Sequence, residues 1–331
     1  HMKVVITGGT GFIGLNLARQ LCLRNRLTGP TGGQQDIDSI VLFDAFAPTT
    51  RPADLDDRVT IVTGDISDRD TVFGLIDRDD ISVFHLASVV SGQGESDFDL
   101  AMRVNLQGGL NVFEAVRARA GKPRVVFASS CAVFGGSVMT PTVSDSSKQT
   151  SQTTYGVTKT IGELLINDYS RKGFLDGRSA RLPTIFIRPG KPNAAASSFC
   201  SGVFREPLNG VACQLPVATD VVMPLLGYRN CVASFIALHE LPAEELGDDR
   251  ALSLRNRAYS VQEMIEAVRR VAASNAIALG EISVAPDPVV EAIVATWATG
   301  IDDSRAAALG LPMDDSIDRV VQDFIDDFLT A

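Results

Sequence analysis

The chain has 331 residues, enough for one large α/β domain or two unequal ones, and it is 45% hydrophobic and 21% charged, the balance of a globular protein with a sizeable core. Its formal charge of −10, without a run of Lys or Arg, argues against nucleic acid and anionic membrane as partners, because such a surface repels both. No apolar stretch approaches the ~18 residues of a membrane span, and Cys22, Cys131, Cys200, Cys213 and Cys231 form no CxxC pair, so free thiols in a reducing cytoplasm are expected rather than disulfides or a metal site. His1 precedes Met2 and reads as a tag remnant; the chain then enters a strand directly, so no export signal is expected.

Lys3–Thr7 (KVVIT) opens an alternation of short apolar runs with helical stretches. The runs continue at Ser39–Phe43, Val59–Thr63, Ile81–Leu86, Arg124–Ala128 and Thr184–Arg188, each apolar nearly throughout, as parallel strands covered on both faces should be. Helices are predicted between them, notably at Phe12–Arg24, Phe98–Ala118 and Tyr155–Lys172. The alternation predicts a Rossmann-type, doubly wound parallel sheet over residues 2–190.

Directly after the first strand, TGGTGFIG places Gly8, Gly11 and Gly14 three residues apart and opens the first helix. Such a turn needs positive φ, close approach to a pyrophosphate and tight helix–strand packing, and a missing Cβ serves all three. A ligand-free glycine turn is the competing reading; the strand before and the helix after weigh against it. The polar, Gly-rich stretch Thr28–Asp38 reads as a loose inserted loop. Asp44 closes the second strand, where a carboxylate accepts from the adenosine ribose hydroxyls and repels the extra phosphate of NADP, favouring NAD. It lies 30 residues past Gly14 because of that insertion, and a helix cap or turn residue is its alternative role. Asp65, after the third strand, is placed to reach the adenine or to make a plain turn.

The fifth strand runs into Ser129-Ser130-Cys131-Ala132, and Tyr155-Gly156-Val157-Thr158-Lys159 starts a helix further on. Residues four apart share a helix face, which brings the Lys159 ammonium towards Tyr155. A free tyrosine titrates near ~10; lowering that by ~3 units takes ~4 kcal/mol, within reach of an ammonium and a cationic ring in a partly dry cleft. Ser130 would then hold a substrate oxygen while Tyr155 removes its proton. YxxxK alone is equally a surface pair; its order after a glycine fingerprint and a Ser-Ser strand end gives it weight here.

After about Gly190 proline and small residues thicken and helices dominate, predicting a smaller, mostly helical substrate-binding lid over 191–331, with 221–240 returning to the large domain. Ser260 with Glu263 has capping-box spacing for a helix from Val261 to about Ala273, and Asp303 and Ser316 are candidate caps for two more.

TGGTGFIG, FHLAS, VNLQGG, FASSCAVFG and YGVTK, in that order over about residues 2–240, resemble the extended short-chain dehydrogenase/reductase superfamily, also called the NAD-dependent epimerase/dehydratase family. The resemblance implies a Ser130, Tyr155, Lys159 catalytic triad. It also implies NAD contacts from Gly8, Gly11, Phe12, Ile13, Gly14, Asp44, Asp65, Ile66, Leu86, Ala87, Ser88 and Pro189 as well as from Tyr155 and Lys159, and a homodimer through Phe98–Ala118 and Tyr155–Lys172. Asn105 stands where the superfamily carries a structural or cofactor-side asparagine.

Dehydratases of this superfamily have an acidic pair after the catalytic hydroxyl; here that pair is Cys131-Ala132, which leaves no acid for elimination. RPGKPNAAASSFCSGVFREPLNG, with VMPLLGYRNCV beyond it, resembles the D-erythronate dehydrogenases, implying oxidation of the C2 hydroxyl of a small sugar acid. A carboxylate substrate calls for cations and hydroxyls, and Arg188, Lys191, Ser197, Ser198 and Arg205 are the candidates, each basic residue being equally suited to a solvated or salt-bridged role. His85 and His239 read as structural, since no metal-ligand cluster accompanies them. A nucleoside-diphosphate-sugar 4-epimerase and a non-catalytic dinucleotide sensor are the alternatives; sensors on this fold commonly lack the Tyr-x-x-x-Lys pair.

Overall fold

Five of the six apolar runs form one sheet in the computed structural model, which describes residues 1–329. They are β1 (Met2–Thr7), β3 (Gln34–Asp44), β4 (Val59–Thr63), β5 (Ile81–His85) and β6 (Arg124–Ser130), with β2 (Arg26–Thr28) inserted between the first two. The chain divides into two compact units: residues 1–133, 151–181 and 232–252 make the first, and 134–150, 182–231 and 253–331 the second.

In the first unit β1 lies between β3 and β5, parallel to both; β4 flanks β3 and β6 flanks β5. Asp176–Leu182 follows β6, and Ala251–Ser253 completes that edge. From β1 the chain winds outward to β4, crosses back to β5 and winds outward the other way, so the order reverses between β1 and β5. In open α/β sheets that reversal leaves a crevice at the carboxyl ends of the two strands, where dinucleotides bind. β1 and β5 are buried along their whole length. Val5, Val83, Val125 and Phe127 pack one face against Val112, Phe113 and Val116 of the Gly108–Arg117 helix. Their burial stabilises the sheet by roughly 1.5–3 kcal/mol for each large side chain.

Two expectations for this unit change. Thr28–Asp38 is not a loose loop: Arg26–Thr28 pairs antiparallel with Gln34–Asp36, and the glycines only turn the hairpin. The sixth strand of the sheet is Asp176–Leu182, whereas the apolar Thr184–Phe186 pairs with Leu225–Gly227 in the other unit. The strand that wins is polar because Arg178 and Arg181 bring their own carboxylates, Asp176 and Glu163.

The second unit holds a three-stranded sheet of Thr184–Phe186, Val222–Gly227 and Arg257–Ser260, two strand pairs, and helices at Phe199–Leu208, Val261–Ser274 and Ile317–Phe324. Residues 134–150 and 182–190 fall here, and the return to the first unit is 232–252 rather than 221–240. Ser260 caps its helix by accepting from the Glu263 N–H at 3.1 Å, and Ser316 does the same for Arg319. Asp303 does not cap: it accepts from Arg255 and the Asn256 N–H, and Asp302 takes the Ser304 N–H instead.

Candidate active site

The glycine loop stands at the carboxyl end of β1. Gly8 has φ +64°, and a Cβ there would lie 2.9 Å from the Ala87 nitrogen, so only glycine lets this turn pass the end of β5. A Cβ on Gly14 would strike the Gly8 and Gly9 carbonyls at 2.6–2.7 Å, which is the close helix–strand packing the motif requires. Gly11 is exposed, and its Cβ would meet only the Gly8 carbonyl at 3.3 Å, leaving open space before the N-terminus of the Phe12–Arg24 helix. Thr7 ties the loop to β5: its hydroxyl accepts from Leu86 and Ala87 N–H groups at 3.1 Å and meets His85 Nδ1 at 2.7 Å.

Asp44 is half-buried at the end of β3 and is held in place on both oxygens. Thr10 donates to one through its hydroxyl (2.9 Å) and backbone, and the Ala45 N–H donates to the other at 2.8 Å. Asp65 is exposed and turns back on Ser67, whose N–H and hydroxyl both bond one carboxylate oxygen; these bonds hold its carboxyl below the ordinary range. Ile66 is buried against Gly108, and its carbonyl accepts from Asn111. Phe12 is partly accessible, Ile13 and Gly14 are buried, and Leu86, Ala87 and Ser88 line the half-exposed end of β5. Open space at a helix N-terminus beside Gly11, a Gly8 and a Gly14 that cannot carry a Cβ, and a fixed carboxylate beyond them fit a dinucleotide.

Tyr155 and Lys159 lie on the Thr154–Arg171 helix, which Thr153 caps by accepting the Gly156 N–H at 3.0 Å. Two glycines seat this helix on β6: a Cβ on Gly156 would overlap the Ala132 carbonyl, and one on Gly162 would lie 2.5 Å from the Phe127 ring. Lys159 is buried, donates to the Ala128 carbonyl at 2.6 Å, and its Nζ stands 5.3 Å from the centre of the Tyr155 ring. Burial draws its ammonium down to about 7, with the Glu163 carboxylate pulling the other way. Ser130 ends β6, and its hydroxyl accepts from the Ala132 N–H at 3.1 Å. Cys131 is half-buried, and burial pushes its thiol up, which disfavours the thiolate.

Of the residues that surround Tyr155 and Lys159, Glu163 lies in none of the motifs. Glu163 is buried one turn past Lys159, pairs with Arg181 at 2.8 Å and accepts a short bond from Ser129. The i, i+4 spacing from Lys159 was the available signal. Asn105 joins the Val89 backbone, through its N–H at 2.7 Å and its carbonyl at 3.2 Å, to the Thr158 hydroxyl, so it is a positioning residue. His85 is buried beside Phe127 and falls to about 3 through burial and then the Lys159 charge, so it stays neutral. His239 is wedged between Ser82 and Glu240 and falls to about 4 by burial. Among the described residues no group of three or more His, Cys, Asp and Glu could hold a metal ion, and no helix is long and apolar enough to cross a membrane.

Pro189 and the residues proposed for a carboxylate belong to the second unit. Arg188 and Lys191 are exposed, Pro189, Ser197 and Ser198 half-buried, and Ser198 accepts from the Asn193 N–H at 3.2 Å. Arg205 is different: it is buried, paired with Glu206 at 2.6 Å, and donates to the Arg188 carbonyl at 2.7 Å.

A family model described as the NAD dependent epimerase/dehydratase family matches residues 4–249. The chain is 48% identical over 327 residues to D-erythronate dehydrogenase of Cupriavidus necator, covering 98% of each chain. It is 39% identical over 325 residues to D-erythronate dehydrogenase of Haemophilus influenzae, covering 98% of this chain and 99% of that one. Among solved structures, the crystal structure of the nucleoside-diphosphate-sugar epimerase from Agrobacterium tumefaciens matches with a TM-score of 0.90 at 38% identity, covering 99% of this chain and 94% of that one.

Proposed function

Since the chain belongs to the NAD dependent epimerase/dehydratase family, we propose that it oxidises the C2 hydroxyl of a small sugar acid, D-erythronate, to the 2-oxo acid. The chain is an NAD-dependent oxidoreductase, and NAD, when bound, accepts the hydride. Gly8 and Gly14 allow the tight turn and close packing of the loop, Gly11 leaves space for a pyrophosphate, and Asp44 is set to accept from the ribose hydroxyls. The observation that carries the chemistry is the buried Lys159 ammonium 5.3 Å from the ring of the half-buried Tyr155.

A cation so placed favours the phenolate, which lets Tyr155 take the substrate hydroxyl proton as the C–H bond breaks. Ser130 holds the same oxygen by hydrogen bonding, so the developing carbonyl stays aligned with the base. The proton ends on Tyr155 and leaves to solvent in the next turnover. For the carboxylate the reading takes Lys191 and Arg188, the exposed cations, with Ser197 and Ser198 as hydroxyl donors; Arg205 is committed to Glu206. No acid follows Ser130, which speaks against elimination.

Steady NADH absorbance with NAD and D-erythronate is expected, and Tyr155→Phe should lower it at least ~100-fold while NAD affinity holds. A second reading, a nucleoside-diphosphate-sugar epimerase, is favoured by the Agrobacterium tumefaciens likeness. Interconversion of sugar nucleotides with no NADH released would put that reading in place of the first. The reading includes a cytoplasmic homodimer: Phe98, Val157 and Leu164 are apolar and 58%, 43% and 58% exposed on the two helices expected to pair. A monomer in sedimentation at assay concentration would remove the dimer from it.

A further inference from the structure

Beneath the reactive pair lies a charged group that the reaction itself does not use. Glu163, Arg181 and Lys159 are each no more than 3% exposed, and Glu163 is one helical turn past Lys159. Arg181 reaches it from the Asp176–Leu182 strand through two guanidinium nitrogens, at 2.8 and 3.0 Å, and the Ser129 hydroxyl of β6 adds a short bond. A surface ion pair would be worth little, but this one is out of water, where a missing partner leaves a bare charge. The three side chains together carry one net positive charge, which without Glu163 would be two in the same dry volume.

We propose that Glu163 is a positioning residue that keeps the Lys159 ammonium charged, with Arg181 and Ser129 holding its carboxylate in place one helical turn past Lys159. The proposal rests on the oxidoreductase reading of Tyr155 and Lys159. Every group that faces Lys159 is consistent with this role. Its own helix supplies Tyr155 and Glu163, and β6 supplies the Ala128 carbonyl and the Phe127 ring. β5 supplies His85, which burial keeps neutral, and Arg181 of the neighbouring strand is paired with Glu163. Among the described residues Glu163 is therefore the carboxylate that acts on Lys159, opposing the burial that draws the ammonium down.

The test reads Lys159 directly, by carbon-13 NMR of lysine labelled at Cε, its signal assigned by loss in Lys159→Met. Glu163→Gln keeps the shape but removes the charge, and should lower the Lys159 ionisation midpoint by about one pH unit, tenfold in the constant. Arg181→Met leaves Glu163 unopposed and should move the midpoint up. Glu163→Asp should restore it part-way, and the double variant Glu163→Gln with Arg181→Met, which leaves no unpaired charge, should fall between the single variants. The alkaline limb of kcat should follow the same directions with KM little changed. Loss of a merely structural pair would lower stability in both single variants without opposite titration shifts. Midpoints that stay fixed, or move the same way in both, overturn the proposal. Full activity in Tyr155→Phe would instead remove the catalytic reading while leaving the Lys159 titration intact, so the two failures are distinct.

Discussion

Replacing Lys159 by Met keeps most of the stem and removes the charge that stands 5.3 Å from the Tyr155 ring centre. At an effective permittivity of about 20, a unit charge at that separation is worth about 3 kcal/mol, or ~2 units in the tyrosine ionisation. The coupling is mutual: a Tyr155 phenolate in turn favours the charged form of Lys159, which burial draws down to about 7. In Lys159→Met the phenolate fraction at pH 7 should drop ~100-fold and kcat with it. The loss should be recovered as the pH rises, because alkali then does what the ammonium did. The assay is kcat against pH from 7 to ~10 with NAD saturating, beside a fluorescence titration of NADH binding. Two results would refute the reasoning: a fall of less than ~5-fold at neutral pH, or a loss that is the same at every pH.

Asp44→Ala should narrow the preference for NAD over NADP, since it removes the carboxylate that Thr10 and Ala45 hold in place; equal use of both cofactors by the parent would show that Asp44 does not face the ribose. Lys191→Met should raise KM for the sugar acid by roughly ten- to a hundredfold, the worth of a charge-assisted bond, with stability unchanged. Arg205→Met should behave in the opposite way, costing roughly 3 kcal/mol of stability in a denaturant melt by stranding Glu206, with KM little affected. Acid should destabilise the fold early. His85 and His239 titrate at about 3 and about 4 in the folded chain against 6.5 unfolded, so the unfolded state takes up protons first. That stability is complete above ~6.5 and drains as the pH falls towards ~4. A melting temperature constant from pH 7 to 5 would contradict it, and His239→Gln should flatten the slope.

The glycine turn and the Tyr–Lys pair were legible because each is a local pattern whose spacing carries its geometry. Gly8 sits at positive φ, and Lys159 is one turn below Tyr155, as their positions in the chain require. What escaped depends on partners distant in sequence. The buried Asp176–Leu182 strand presents Arg178 and Arg181, which no apolar-run criterion selects; their charges are met by Asp176 and by Glu163 of a neighbouring helix. The more apolar Thr184–Phe186 took that place in the sequence reading. Likewise Thr28–Asp38 looked like a loop because an antiparallel ribbon needs backbone pairing and no apolar face. Asp303 has a cap's position in the sequence but spends its carboxylate on Arg255 and Asn256.

The triad alone does not choose between a dehydrogenase and an epimerase, because both begin by taking a hydride and a hydroxyl proton from one carbon. The difference is whether the oxidised product is held until the hydride returns. Holding a keto-sugar nucleotide takes a grip on its base and pyrophosphate, and bases are commonly gripped by stacking on an aromatic side chain. Residues 188–198 contain no aromatic, and Phe199 is 6% exposed, so its ring is spent on the core. What that segment does offer is two exposed cations, Arg188 and Lys191, and the hydroxyls of Ser197 and Ser198. Such a set matches a carboxylate, at ~1.5–3 kcal/mol per charge-assisted bond, and gives a two- to four-carbon chain little else to cling to. On the sugar-acid reading a product bound so lightly should leave, and NADH should accumulate in proportion to the acid consumed.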